Sequence, residues 1–327
     1  MGLAFVGAGL RPAPTALRRR LDGMREVVDE VGRRVIVPAE INRIVTLSPD
    51  LTETIYALGL EDKLVGDTDY CDTPPEAKLK PHIGSAQSPS LEVIVALHPD
   101  LVLATGTINR LETADALKRL GIAVYTTYPH TVRGMLQSFE HIADVAGTPE
   151  NGAALVKRLE ARLVALHAQL ESLPMVHVLF VEWIAPLMTI GQNTFIADAL
   201  RWAGAESMIL SKQNWPRVSL EEIVRLQPDY ILITRNHGGT DDEELNELRT
   251  RPVWRKLLAV ERGHTLMVDD EMARPAPGLI GAIEKLAHEL HPEAFSVAAR
   301  EGSWRIEGES KFHQPAESAI RCKECAR

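Results

Sequence analysis

From residue 43 onward, short apolar runs alternate with longer stretches of helical spacing. The segments 43–47, 64–66, 121–126, 176–181 and 265–268 are short and mostly apolar, and each is bounded by polar residues or by Gly or Pro. Such runs predict strands covered on both faces. Between them, apolar residues recur every three or four positions. That spacing predicts helices over 48–59, 111–120, 132–146, 193–203 and 277–290. Upstream, Glu26 to Pro38 alternates around Glu30-Val31-Gly32-Arg33, which predicts a hairpin. Alternation of strand and helix implies parallel sheets flanked by helices.

The longest periodic stretch opens at Thr148-Pro149-Glu150, with Pro in the first turn, where its missing N–H is not needed. Leu155, Leu159, Leu163, Leu166 and Leu170 keep one apolar stripe until Pro174 ends the pattern. At the α-helical rise this is a rod of roughly 35 Å, about the width of a small lobe.

Sixteen residues occur twice without a gap. Ser90-Leu91-Glu92 through His98-Pro99-Asp100 to Thr105 matches Ser219-Leu220-Glu221 through Gln227-Pro228-Asp229 to Thr234 at ten positions. In each copy a Ser caps a short helix, a Glu sits in its first turn, and Pro-Asp ends it before a buried strand. Two widely separated copies are too few for a solenoid and imply two lobes on one plan. The expected organisation is therefore α/β, two Rossmann-like lobes joined by a single long helix. Residues 1–40 form an N-terminal segment with a hairpin, 41–147 the first lobe and 148–173 the connecting helix. Residues 174–291 form the second lobe and 292–327 a polar tail.

The chain has 327 residues, 45% of them hydrophobic, enough for two cores. Its net charge of −9, with Arg18-Arg19-Arg20 as the only dense basic block, argues against nucleic acid as a partner. There is no run of 18 apolar residues to span a membrane. Met1 to Leu10 is apolar but lacks the basic n-region of a secretory signal, so the sequence leaves export and retention both open. Cys322 and Cys325, with only His313 nearby, read as part of the tail and not as a zinc site.

No nucleophile elbow, phosphate-binding loop or H-E-x-x-H motif is present, and the eleven histidines show no metal-ligand spacing. The expectation is a binding protein and not an enzyme, with no cofactor and no bound metal. Candidate chemistry lies instead in strand-to-helix loops, where open α/β sheets hold ligands. These residues are Tyr70 and Thr105 in the first lobe, and Trp183, Trp215, Asp270 and Arg274 in the second. Trp215, between Asn214 and Pro216 and off any helical stripe, is the most suggestive. Glu92 and Glu221 match each other across the repeat, while the ligand-side loops do not. That points to a shared external task.

The order of lobe, long helix and lobe resembles the class III periplasmic substrate-binding proteins, which deliver vitamin B12, ferric siderophores or haem to ABC importers. The resemblance spans roughly Arg25 to His291. It rests on Arg43-Ile44-Val45-Thr46-Leu47-Ser48-Pro49, Thr52-Glu53, Leu58-Gly59, Leu64-Val65-Gly66, both Ser-Leu-Glu…Pro-Asp copies and Arg274-Pro275. Tyr70-Cys71-Asp72-Thr73-Pro74-Pro75 and Trp215-Pro216-Arg217-Val218-Ser219 look like segments of cobalamin receptors. The sequence departs from those receptors at Ala86 and Thr105, where they carry aromatics. The resemblance implies a monomer in the periplasm or otherwise outside the cytoplasm. It would hold cobalamin or another corrinoid between its lobes and dock through Glu92 and Glu221 onto a membrane permease. The alternatives it leaves are a ferric siderophore or haem carrier using Arg217 and Arg274. A corrinoid- or tetrapyrrole-handling enzyme inside the cell, on a similar bilobal fold, is the alternative from another class.

Overall fold

The computed structural model describes residues 20–21, 23–234 and 241–295. The segment 1–10 and the 300–327 tail with its two cysteines lie outside the described residues.

Each lobe is built on a four-stranded parallel sheet. In the first, the strands Leu64–Gly66, Ile44–Thr46, Leu101–Thr105 and Val124–Thr127 lie side by side in that order. In the second, the order is Ala205–Ser207, Val176–Val181, Tyr230–Thr234 and Thr265–Val268. Counted along the chain, both sheets run second, first, third, fourth. The order reverses between the first strand and the strand that ends the repeat. The crevice outside the carboxyl ends at such a reversal is where open α/β sheets bind ligands.

The repeat holds at atomic detail. Ser90 accepts a hydrogen bond from the Val93 N–H and Ser219 one from Glu222 N–H, capping the helices Leu91–Ala96 and Leu220–Leu226. His98 and Gln227 occupy the same repeat position, and both adopt positive φ, 46° and 51°. That left-handed turn ends each helix and reverses the chain into its strand. The Asp100 carboxylate then accepts from Asn42 N–H at 2.8 Å and Arg43 N–H at 2.9 Å. Asp229 accepts from His177 N–H at 3.0 Å. In both lobes the Pro-Asp carboxylate thus fastens the repeat to the start of the first strand, which explains why this dipeptide recurs.

The connecting helix is continuous from Pro149 to Leu170, and its five stripe leucines are all buried. It lies against the helices Val132–Val145, Phe195–Trp202 and Leu279–Leu290. Two separate cores were expected from length, but the largest apolar cluster includes residues of both lobes and the connecting helix. It runs from Ile44, Leu101 and Phe139 through Leu159 and Leu163 to Phe180 and Ile283. Smaller clusters fill the outer faces of each sheet. The cores merge because the connecting helix has apolar neighbours in both lobes. Arg162 on its polar side grips Glu284 with two hydrogen bonds, 2.9 and 2.5 Å long.

The hairpin Met24–Val28 with Arg34–Pro38, extended by Arg20–Leu21, forms a small antiparallel sheet on the first lobe. Elements not anticipated from sequence are short. They include the Gly84–Ser85 and Ser88–Pro89 pair and the Trp183–Ile184 and Leu187–Met188 pair. The acidic segment after residue 240 is a helix, Asp241–Thr250.

Asp100→Ala is expected to lower stability by about 1 kcal/mol, and Asp229→Ala by less, because the first carboxylate holds two main-chain N–H groups and the second holds one. Urea denaturation of both variants measures the difference. Unchanged midpoints would show that neither carboxylate secures its strand.

Candidate functional site

The loop bearing Tyr70 follows the strand Leu64–Gly66 and is tied down from several sides. Asp67 N–H bonds to Pro81 O, Ile83 N–H to Asp67 O, and Asp69 N–H to Gly84 O. Asp67 is fully buried and takes a 2.8 Å hydrogen bond from the His82 ring. Burial, opposed by His82, raises its pKa to about 6. Next to Tyr70, the buried Cys71 thiol sits 3.1 Å from the Thr52 hydroxyl and 3.2 Å from that of Thr68. With its flanks fixed, Tyr70 is left 66% exposed.

Thr105 does not take the place expected of it. It is 0% exposed, because the central strand that it ends is buried at all five positions, on both faces of the sheet. Its hydroxyl lies 2.9 Å from that of Thr107. Gly106 and Thr107 reach the surface instead. Asn109 binds these loops together. Its amide nitrogen donates to Leu47 O and Ala86 O, both at 2.8 Å, and its Oδ1 accepts from Thr105 N–H at 2.7 Å.

Tyr128 supplies an aromatic ring near Thr105. It follows the strand Val124–Thr127, and its ring covers Gly106 so closely that a Cβ there would lie 2.8 Å from a ring carbon. His130 meets it edge-on at 4.3 Å. The hairpin holds this loop from behind. Glu30 accepts from Tyr128 N–H at 2.7 Å, from the Ser138 hydroxyl at 2.8 Å and from the His141 ring at 3.1 Å. Arg33 reaches both Asp29 and the Thr126 hydroxyl.

In the second lobe the two exposed tryptophans share one scaffold. Trp183 pairs with Met188 across the short hairpin, and Met188 bridges to Arg217 in the Trp215 loop. Thr189 N–H bonds to Pro216 O, and Gly191 N–H to Asn214 O. The approach at Gly191 requires glycine, since a Cβ there would lie 1.8 Å from Gln213 O. Trp183 is 51% and Trp215 43% exposed. The Trp183 indole N–H is already bonded to Ala185 O at 2.9 Å, leaving its ring face as the group it offers.

Asp270 and Arg274 are brought together as an ion pair 3.6 Å apart. Glu182, at the end of the strand Val176–Val181, joins this group electrostatically. Burial and then the Asp270 charge raise its pKa, and its Oε2 has no hydrogen-bond partner among the described residues. From the first lobe, Glu53 accepts a 2.5 Å hydrogen bond from Gly278 N–H. That bond joins the helix Pro49–Ala57 of one lobe to the residue capping the helix Leu279–Leu290 of the other. Glu53, Asn109 and Tyr128 were not singled out from sequence, because each acts through partners far along the chain.

Glu92 and Glu221 are exposed at the starts of their helices, one on each lobe. A helix leading into a parallel strand begins at the carboxyl edge of the sheet. Both carboxylates therefore stand at the same edges as the aromatic loops.

Residues 44–272 match the family model described as periplasmic binding protein. The chain belongs to this family. A vitamin B12-binding protein of Vibrio parahaemolyticus is 27% identical over 251 residues, covering 74% of this chain and 87% of that protein. YvrC of Bacillus subtilis, an uncharacterized ABC transporter substrate-binding lipoprotein, is 30% identical over 277 residues, covering 82% and 85%. The crystal structure of BtuF, the periplasmic vitamin B12 binding protein of Vibrio cholerae, superposes on this binding protein with a TM-score of 0.68. The two are 26% identical, and the match covers 78% of this chain and 98% of BtuF. A periplasmic haem-binding protein of Roseiflexus, RhuT, shares the fold with the same TM-score at 24% identity. The expected α/β fold of two lobes and one backbone helix is thus the fold of this family, whose members are binding proteins.

The Glu30 hydrogen bond, against burial, raises the pKa of His141. A raised histidine pKa stabilises the fold below its unfolded value of about 6.5, and that contribution is lost as pH rises through the folded value. His141→Ala should therefore lower the melting temperature more at pH 6 than at pH 8. Equal losses at the two pH values would dissociate His141 protonation from the hairpin contact.

Proposed function

We propose that this protein captures cobalamin or a close corrinoid between its lobes and delivers it to the permease of an ABC importer outside the cytoplasm. Its similarity to B12-binding proteins over most of their length supports the ligand class. The observation that carries the reading is the balance of aromatic and acidic groups. Tyr70, Trp183 and Trp215 offer exposed ring faces suited to a large flat macrocycle. Around Arg274 stand Asp270, Glu271, Glu53 and Asp50, and Glu182 feels the Asp270 charge. Such a boundary disfavours ligands rich in carboxylates. It favours one whose rim carries N–H donors, as the carboxamides of cobalamin do, and a donor there would satisfy the Glu182 oxygen. Tyr128, held over Gly106, takes the aromatic role that Ala86 and Thr105 cannot.

Arg217 supports a second reading. It is exposed beside Trp215 and would suit an anionic iron chelate or the propionates of haem. Calorimetric titration with cobalamin, haemin and a ferric siderophore separates the two. One-to-one cobalamin binding is expected, weakened in Trp215→Ala by on the order of 1–3 kcal/mol, as for loss of an aromatic anchor. No cobalamin binding alongside tight uptake of a ferric chelate would overturn the proposal in favour of the second reading.

Glu92 and Glu221 are proposed to meet arginines of the permease, one per lobe, since arginine grips a carboxylate with two parallel bonds. Replacing both with Ala should leave cobalamin affinity and melting temperature unchanged and abolish transport in reconstituted vesicles. Normal transport by the double variant would reduce them to helix-start carboxylates.

A further inference from the structure

A groove of about 330 Å³ is lined by Thr131, Arg133, His167, Asp198, Arg201 and Trp202. All three parts of the frame contribute to it. Thr131 and Arg133 stand at the start of the first-lobe helix Val132–Val145, and His167 lies on the connecting helix. Asp198, Arg201 and Trp202 belong to the second-lobe helix Phe195–Trp202. The groove shares no lining residue with the loops of Tyr70, Trp183 and Trp215. Its volume falls at the lower end of the range for small-molecule sites, roughly 300–1,000 Å³.

The acceptors of this groove are already engaged. Asp198, the one acid in the lining, takes a 2.8 Å hydrogen bond from Val132 N–H across the lobes, and its other oxygen lies 3.5 Å from Arg201. Thr131 accepts from Gly134 N–H at 2.9 Å. The Val132 and Gly134 main-chain donors are therefore taken as well, and what remains to meet a ligand is a set of side-chain donors. Arg133 is exposed and makes no hydrogen bond or ion pair among the described residues. Arg201 donates to Gln192 O at 3.3 Å and keeps further N–H groups. The Trp202 indole N–H has no partner among the described residues, and the Thr131 hydroxyl proton is free in the same sense. Trp202 packs against the shared core, and the His167 ring meets it edge-on at 6.1 Å.

Two guanidiniums against one engaged carboxylate leave the groove positive, in a chain whose net charge is −9. A single surface arginine is ordinarily just solvated. Here two converge with an indole and an imidazole on one concavity, where donors outnumber free acceptors. The planar fork of a guanidinium matches the oxygens of a carboxylate or phosphate, and an indole favours a flat apolar body.

We propose that this groove is a second ligand site, taking a small aromatic oxyanion with its charged group on Arg133 and Arg201 and its ring against Trp202.

The occupant bridges both lobes and the connecting helix in the frame as it stands, so no movement of the lobes is required. The unfolded chain has no such groove, so binding raises stability by linkage. The inference does not depend on the corrinoid reading.

The test uses the full chain without cobalamin. Calorimetric titration with phenyl phosphate, inorganic phosphate and phenol separates the ring from the charge. Phenyl phosphate is expected to bind one-to-one with a dissociation constant on the order of 0.1 mM. Inorganic phosphate should bind roughly tenfold more weakly, for want of the ring, and phenol should give no heat of binding. Arg133→Met, at an exposed position without contacts to lose, should weaken phenyl phosphate roughly tenfold and leave the melting temperature of the free protein unchanged. Saturating phenyl phosphate should raise the melting temperature of the wild type more than that of Arg133→Met. Trp215→Ala, outside the groove, should bind phenyl phosphate as the wild type does. No binding of phenyl phosphate at millimolar concentration, or equal affinity in Arg133→Met, would overturn the site. Loss of binding in Trp215→Ala would move the anion to the loops of the other site and overturn it as well. Inorganic phosphate binding as tightly as phenyl phosphate would overturn the aromatic assignment. A failed cobalamin titration would leave every arm untouched.

Discussion

The structure depends on one continuous helix whose apolar stripe belongs to both lobes. Leu155, Leu159, Leu163, Leu166 and Leu170 are buried along 22 residues, in a cluster that also holds Ile44 and Phe139 of one lobe and Phe180 and Ile283 of the other. A helix of this length has no soft dihedrals to spend on a hinge while its main-chain bonds persist. Parting the lobes widely would also expose a shared apolar core, at roughly 25 cal/mol for each Å² uncovered. The frame thus resists any wide parting of the lobes.

The loops of the candidate site are rigid for different reasons on the two sides. In the first lobe, polar side chains fix them: Asn109 links three loop segments, Glu30 fixes Tyr128, and Cys71 anchors the turn beside Tyr70. In the second, short antiparallel pairing does the work, placing Trp183 and Trp215 on one scaffold. Between them, carboxylates from both lobes crowd around Arg274. Loops tied down in advance lose little entropy on meeting a ligand.

Features with local chemistry could be read from the sequence. Ser90 and Ser219 cap within three residues, the leucine stripe has helical spacing, and the Pro-Asp turns announce themselves by repetition. Asp270 and Arg274, one helical turn apart, could be paired on paper for the same reason. What stayed hidden acts over distance. Glu53 finds Gly278 in the other lobe, and Glu30 finds Tyr128 and His141 across the first. Thr52-Glu53 belongs to the family pattern, but nothing in it names Gly278 as a partner, and Glu30 in a hairpin turn looks like solvated surface. Thr105 shows the converse. It stands at a strand end, where ligand residues are expected, yet that strand is covered on both faces and its last side chain is buried like the others.

Small-angle scattering of the protein with and without saturating cobalamin tests most directly whether a fixed frame, and not a closing hinge, presents the site. The account predicts radii of gyration that agree to within about 1 Å, because the continuous helix permits only small rotations. A compaction of several ångströms on binding would contradict it.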